Sequence, residues 1–238
     1  MAPQQPIGAA VPNWTPPPWP QRQPIVGRYA TLEPLDPDRH AAQLHRANGT
    51  GEALWTYLPY GPFPSAAQYH RWMRDVIATE DPVFYAIRNT QTGKCGGIIS
   101  YLRITPQAGT IEIGHVNFSP ELQRTRAASE AAMLMIGWAF SAGYRRVEWK
   151  CNALNMASRR AAQRLGLSFE GIFRQQAVVK GRNRDTAWFA AIDAEWPALQ
   201  EAYAAWLAPS NFDAEEQQIE RLGDLTGLVR VTSDPALG

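Results

Sequence analysis

The chain is 238 residues long with a formal net charge of +1, which gives no global attraction to nucleic acid or to a membrane surface. Hydrophobic residues make up 45% of it, enough for a full core, so one domain with extensions is expected. Two cysteines without a CxxC pair and four scattered histidines argue against a disulfide framework and against a zinc or other metal site.

Residues 1–26 are proline-rich, with Trp14 and Trp19 set among Pro12, Pro16, Pro17, Pro18 and Pro20. Such a stretch favours extended polyproline II and cannot form a helix. It reads either as a recognition arm for a partner or as a leader that packs on its own domain. The second is preferred, because arms seldom leave two indoles in water. Arg28 to Glu33 predicts an edge strand stopped by Pro34. Asp36 caps a helix with Pro37 at its first position, running to about Ala47. Leu54 to Phe63 has no clean period and holds Trp55, Tyr57, Tyr60 and Phe63. Loops over a rigid scaffold line pockets, and dense aromatics also bury one another; both readings stand here. Ser65 to Thr79 predicts a second helix with Tyr69, Trp72, Met73, Val76 and Ile77 as a core stripe. A hairpin of Val83–Arg88 and Cys95–Ile104 follows, in which Gly96-Gly97 signals a bulge or a close backbone approach. Cys95 and Cys151 both fall in predicted strands and read as free buried thiols.

Thr110 to Phe118 alternates with a two-residue period and predicts a central strand, ended by Ser119-Pro120. Gln123-Arg124-Thr125-Arg126-Ala127-Ala128 then leads into a helix reaching about Ser141. A strand, a short turn and a helix start make an anion site, since first-turn N–H groups lack intrahelical partners and the dipole adds positive charge. Arg124 and Arg126 add full charges, so the expected ligand carries phosphate. Gly143 stops the helix, and Tyr144 to Asn152 is the next strand. Glu148, Lys150 and Asn152 share one of its faces; Val147, Trp149 and Cys151 share the other. Asn155-Met-Ala-Ser158 opens a helix, Arg159 to Leu165, closed at Gly166 and followed by Leu167-Ser-Phe-Glu-Gly171. Ser168–Val179 and Arg184–Asp193 form a hairpin around Lys180-Gly-Arg-Asn183. Ala198–Leu207 is predicted helical, Asp213–Leu222 as a second, mostly polar helix, and the last residues as frayed.

The order of strand, Gln-Arg-Thr-Arg-Ala-Ala, helix, strand, Asn-x-x-Ser, helix and Leu-Gly-Leu-x-Phe-Glu-Gly resembles the GNAT acyl-CoA N-acyltransferases. Within them it is most similar to the branch of ribosomal-protein alanine N-acetyltransferases. The resemblance covers roughly Gly27 to Trp196, leaving 1–26 as an arm and 197–238 as a C-terminal helical extension. It implies an α/β (α+β) fold: a central mixed, mostly antiparallel sheet with two splayed parallel strands, flanked by helices. It also implies acetyl-CoA, or a related acyl-CoA, as cosubstrate. The pantetheine arm would pair with the backbone of Val116, Asn117 and Phe118. The pyrophosphate would sit at Gln123, Arg124, Thr125, Arg126, Ala127, Ala128 and Ser129. Asn155 and Ser158 would approach the arm and its sulfur, and Trp55, Tyr57, Tyr60 and Phe63 would line the acceptor pocket.

The chain departs from the family pattern at three positions. Arg126 stands where a phosphate-loop glycine is usual, which suits a helical residue and not a left-handed one. Ala162 stands where many members carry a tyrosine acid, and Ala177 where the ribosomal-protein branch carries a glutamate. Ser158 remains as a proton donor to the thiolate, or as a helix-start hydroxyl satisfying backbone donors. Glu112 and His115 remain as bases, on opposite faces of a regular strand unless a bulge intervenes. The reading is an N-acyltransferase acting on a primary amine by direct attack; a succinyl-CoA-type enzyme, a non-catalytic acyl-CoA sensor and a protein-binding module are the alternatives. No nucleic acid or membrane partner is expected, a homodimer is compatible, and with no apolar window of about 18 residues and no signal core the expected location is cytoplasmic.

Overall fold

The computed structural model describes residues 5–49, 51–215 and 217–237. Its centre is an eight-stranded sheet in the order β1-β2-β3-β4-β5-β6-β8-β7. The strands are β1 (Ile25–Val26), β2 (Ala30–Pro34), β3 (Val83–Asn89), β4 (Cys95–Thr105), β5 (Thr110–Phe118), β6 (Arg146–Asn152), β7 (Ser168–Val179) and β8 (Arg182–Ile192). The helices are α1 (Pro37–Asn48), α2 (Ala66–Ile77), α3 (Arg126–Ser141), α4 (Met156–Arg164), α5 (Trp196–Leu207) and α6 (Leu222–Gly227). β5 and β6 run parallel and every other neighbouring pair antiparallel, the mixed architecture the sequence implies. Among the described residues no helix is long and apolar enough to cross a membrane.

Strand alternation builds two cores. Tyr85, Ile87, Ile99, Tyr101, Ile111 and Ile113 face α3. Phe84, Ala86 and Ile98 face α1 and α2, meeting Leu44, Tyr69 and Met73. Both cysteines are free and buried, as expected. The helix starts are held by local caps: Asp36 Oδ1 accepts from Asp38 and Arg39, Ser65 Oγ from Gln68, and Thr125 Oγ1 from Ala128. Glu130 of α3 is 3% exposed, and its carboxylate accepts the backbone N–H groups of Arg28, Tyr29 and Ala30 at 2.9, 2.6 and 2.7 Å. That contact fixes the entry of β2 to the central helix.

Several expectations are corrected. β2 is not an edge strand, because β1 pairs with its outer side, and Pro34 lies within it opposite Tyr85. No helix forms over Asp213–Leu222 among the described residues. Asp213 Oδ1 accepts from Glu215 and Gln217 N–H, closing a local turn that competes with a helix, and α6 starts at Leu222. The end of the chain is anchored: Asp234 is 2% exposed and pairs with the buried Arg159 of α4 at 2.5 Å, which needed a carboxylate. The proline-rich leader packs, but through Trp14 rather than Trp19. The Trp14 ring lies against Gly109 and beneath the Arg145 guanidinium, while Trp19 stays 39% exposed. Tyr144 and Tyr85 donate their hydroxyls to Pro18 and Gln21, and Arg22 donates to Ile77 and Thr79. Glu33, His40 and Cys95 converge within 4.8 Å. There Glu33 is already taken up by Arg88, His40 and Arg39, the Arg88 bonds foremost in holding its pKa down to about 2.

Candidate functional site

β5 pairs with β6 from Thr110↔Arg146 to Ile113↔Trp149. Beyond that point β5 continues to Phe118 and β6 to Asn152 with no pairing between them, so a gap opens in the sheet. The cause lies in β5. Ser100 opposes Gly114 and Ile98 opposes Asn117, so His115 and Val116 together face the single residue Ile99. This is a bulge, with His115 at φ 52°, and it bends β5 away from its parallel neighbour. A side chain at Gly114 would meet Leu102 at 2.8 Å, which suits glycine there.

At the end of β5 the chain turns tightly into α3. Leu122 and Gln123 donate their N–H groups to Ser119, Thr125 donates to Leu122, and the Gln123 side chain donates to Phe118 O at 2.9 Å. Arg124 takes the left-handed conformation at φ 62°, costly for a residue with a Cβ. Among the described residues the N–H groups of Arg124 and Ala127 meet no protein acceptor. Arg126 is the first residue of α3, helical as its Cβ requires. Its guanidinium stacks over Tyr29 at 4.7 Å and over Phe212 of the C-terminal extension at 4.3 Å. Ala127, Ala128 and Ser129 complete the buried first turn. Ser129 Oγ accepts from Arg164 at 2.8 Å.

The β6 side is built by α4. Asn155 Oδ1 accepts the Ser158 N–H at 3.1 Å, so its side chain is a helix cap. Ser158 Oγ accepts the Trp149 indole N–H at 2.9 Å. Burial pushes the nearby Cys151 thiol up to about 11, against a hydrogen bond from Ser158. Ala162 is fully buried and offers no proton-transfer group.

The opposite mouth of the gap is covered by the 54–63 segment. Trp55 is 4% exposed, and its ring meets Tyr60, Phe63 and Tyr69 edge-on. Trp55 and Phe63 are therefore largely packing residues. Tyr60 stacks on His115 at 5.5 Å, bringing the segment to β5. Tyr57 Oη donates to Leu154 O at 3.2 Å, past the end of β6. Lys180, at the β7–β8 tip, donates to Trp55 O and Tyr60 O at 3.0 and 3.1 Å. The segment is thus fastened across the gap at two points.

On this same face runs a chain of charges. Glu112, 3% exposed, pairs through Oε2 with Arg103 at 2.6 Å and Lys150 at 3.1 Å. Lys150 pairs also with Glu148, Glu148 with Arg146, and Arg146 with Glu170. The Lys150 ammonium nitrogen lies 3.7 Å from the Trp188 ring centroid. The His115 ring lies 4.9 Å from Phe84. Burial, then the charges of Arg103 and Arg184, lower its pKa to about 4, so the imidazole is neutral at pH 7. The structure gathers Glu112, His115, Val116, Asn117, Phe118, the 123–129 turn, Asn155, Ser158, Tyr57 and Tyr60 around one gap. Sequence reasoning missed Arg103, Lys150, Lys180 and Arg184. Lys150 and Glu148 carried a signal, being charges on one face of a central strand.

The chain matches the family model of the acetyltransferase (GNAT) domain over residues 30–168. No match is found among curated proteins. Among solved structures it is similar to a GCN5-related N-acetyltransferase from Brucella melitensis, 45% identical, with a TM-score of 0.88 over 91% of this chain and 100% of that one. A GNAT-family protein from Chromobacterium violaceum is 40% identical, with a TM-score of 0.77 over 83% and 100% of the two chains. RimL, a ribosomal L7/L12 alpha-N-protein acetyltransferase solved with coenzyme A, is 22% identical with a TM-score of 0.60 over 71% and 97%, a likeness of fold alone. A domain match over more than half the chain, set on this splayed sheet, identifies it: the chain belongs to the GNAT acetyltransferase family.

Proposed function

We propose that the protein transfers an acyl group, acetyl in the first instance, from acyl-CoA to a primary amine by direct attack. The observation that carries this is the end of β5–β6 pairing at Ile113↔Trp149 beside a helix start whose Arg124 and Ala127 N–H groups meet no acceptor among the described residues. An extended pantetheine fits an unpaired strand edge at Val116–Phe118, and a pyrophosphate fits residues 123–129. The working unit is 27–196, with 1–26 as a strap and 197–238 as an extension that seats Arg126 through Phe212.

When bound, the thioester supplies an already activated carbonyl, so the chain's task is mainly positioning. The acceptor nitrogen bonds to the carbonyl carbon, the C–S bond breaks, the amine gives up one proton and the thiolate takes one. Ser158 suits the second transfer: its oxygen accepts from Trp149, and its hydrogen, turned toward the Cys151 thiol, would rotate to the leaving thiolate. Neutral His115, directly or through water, and Glu112 through the oxygen not paired to Arg103 and Lys150 are the candidates for the first. Tyr57 and Tyr60 border the acceptor side. The RimL likeness favours a protein N-terminus among primary amines no more than a small molecule, since it is one of fold. The test is thiol release from acetyl-CoA over a broad amine panel. Amine-dependent release is expected; binding of acetyl-CoA with no release for any amine would favour the non-catalytic sensor.

A further inference from the structure

The charge chain on the acceptor face is one anion short. Arg103, Arg146, Lys150 and Arg184 set four cations around the carboxylates of Glu112, Glu148 and Glu170. Three of the cations are paired with these acids at 2.5–3.1 Å. Arg184 pairs with none among the described residues, and its Nε is buried without any partner. The adjacent Asp185 is spent on Gln175 N–H and the Asn183 amide.

The position of Arg184 gives this deficit a meaning. β8 continues past the end of β6, whose last partner is Asn152↔Thr186, so Arg184 stands beyond β6 where the gap is open. With Thr186 and Trp188 it alternates along β8 on the Lys150 side of the sheet. Its charge reaches His115 and Glu112 on β5 and Cys151 on β6, the two walls of the gap. Burial disfavours its charged state, Glu112 offsets this only in part because it is shared with Arg103 and Lys150, and a guanidinium is not relieved by losing its proton, so the site is left short of negative charge.

We infer that Arg184 receives a carboxylate of the reacting pair, so that this transferase takes an anionic acceptor of the amino-acid type or an acyl group ending in a second carboxylate. A planar carboxylate matches the guanidinium fork in two parallel bonds and supplies the missing charge. The neutral His115 beside it leaves the amine end of such a ligand unopposed by a second positive charge. This inference rests on the acyltransferase reading above.

Calorimetry on wild type, Arg184→Gln and Arg184→Lys tests it with two matched pairs. The donor arm compares succinyl-CoA with butyryl-CoA; the acceptor arm compares a panel of amino acids with their amides on the CoA-loaded protein. In one arm the carboxylate member is expected to bind about tenfold or more tighter. That advantage disappears in Arg184→Gln and returns in part in Arg184→Lys, which keeps the charge without the fork. The arm that shows it names the source of the carboxylate. No advantage in either arm, with CoA bound normally by wild type, overturns the inference and leaves the acyltransferase reading in place. An advantage undiminished in Arg184→Gln overturns it equally. Failure of wild type to bind any CoA species removes the parent reading, and this inference falls with it.

Discussion

Glu112 and His115 share one face of β5 although they stand three positions apart. Glu112 opposes Leu102 and Gly114 opposes Ser100, on the side of Ile98 and Phe84; the extra residue at 115–116 then turns the His115 ring to that side as well. A regular strand would have put the two groups on opposite sides of the sheet. The bulge that opens the gap therefore also brings both candidate bases to the face lined by Tyr60 and Phe84.

Neither base is expected to dominate the rate. His115 is lowered to about 4, a weak acceptor at neutral pH, and Oε2 of Glu112 is committed to Arg103 and Lys150. A well-matched base contributes a factor of about 10² to 10⁴. His115→Ala and Glu112→Gln should each lower kcat/KM by less than about a hundredfold, with a rate that rises through the acceptor amine's own pKa. A loss near 10⁴ in one variant, with the acid limb of its pH–rate profile abolished, would identify a dedicated base instead.

His115 also sets a pH dependence of stability. Its folded pKa of about 4 lies below the ordinary 6.5, so between these values the unfolded chain binds the additional proton. The native state is fully favoured above 6.5 and loses that advantage as the pH falls from 6.5 through 4, by at most about 3 kcal/mol. Urea titrations at pH 7 and pH 5 should show a smaller pH difference for His115→Gln than for wild type. An unchanged difference would mean the imidazole is not buried neutral.

Asn155→Ala should cost about 1 kcal/mol, because the side chain caps α4 through the Ser158 N–H. Asn155→Asp keeps a capping oxygen and should restore the melting temperature. If turnover remains low in that second variant, the Asn155 amide has a role at the cosubstrate beyond capping. If turnover recovers with stability, it is a cap alone.

The leader behaves as a strap across the end of the sheet remote from the gap. Trp14 lies on Gly109 just before β5 and under Arg145 just before β6. Removing residues 1–24 should lower the melting temperature, and Trp14→Ala should do so more than Trp19→Ala, whose ring is 39% exposed. Truncation without any thermal effect would point instead to an arm held for a partner.

The strands and helices from Ala30 to Leu207 were legible because local signals agree with tertiary demand: Asp36-Pro37, Ser65, Thr125 and Asn155 all mark helix starts that the structure uses. The anion turn was legible in type but not in detail. A left-handed arginine at 124 has no sequence signal, since glycine is the residue that usually announces that conformation. The C-terminal extension was misread where long-range contacts decide. The Asp213 turn replaced a helix, and Arg159–Asp234 anchors a tail that composition alone calls loose. The charge network escaped because its members, Arg103, Glu112, Lys150 and Glu148, come from three strands whose register no single strand reveals.

The central claim, a CoA site at the turn before α3, is tested most directly by calorimetric titration of CoA into wild type and Arg124→Gly at two salt concentrations. Glycine adopts the φ of 62° without strain, so this variant keeps the turn and removes only the charged side chain. Wild type is expected to bind CoA with an affinity that weakens as salt rises. Arg124→Gly should be at least as stable and bind about tenfold more weakly, with a smaller salt dependence. If CoA, acetyl-CoA and dephospho-CoA all fail to bind the folded wild-type protein, the account is contradicted.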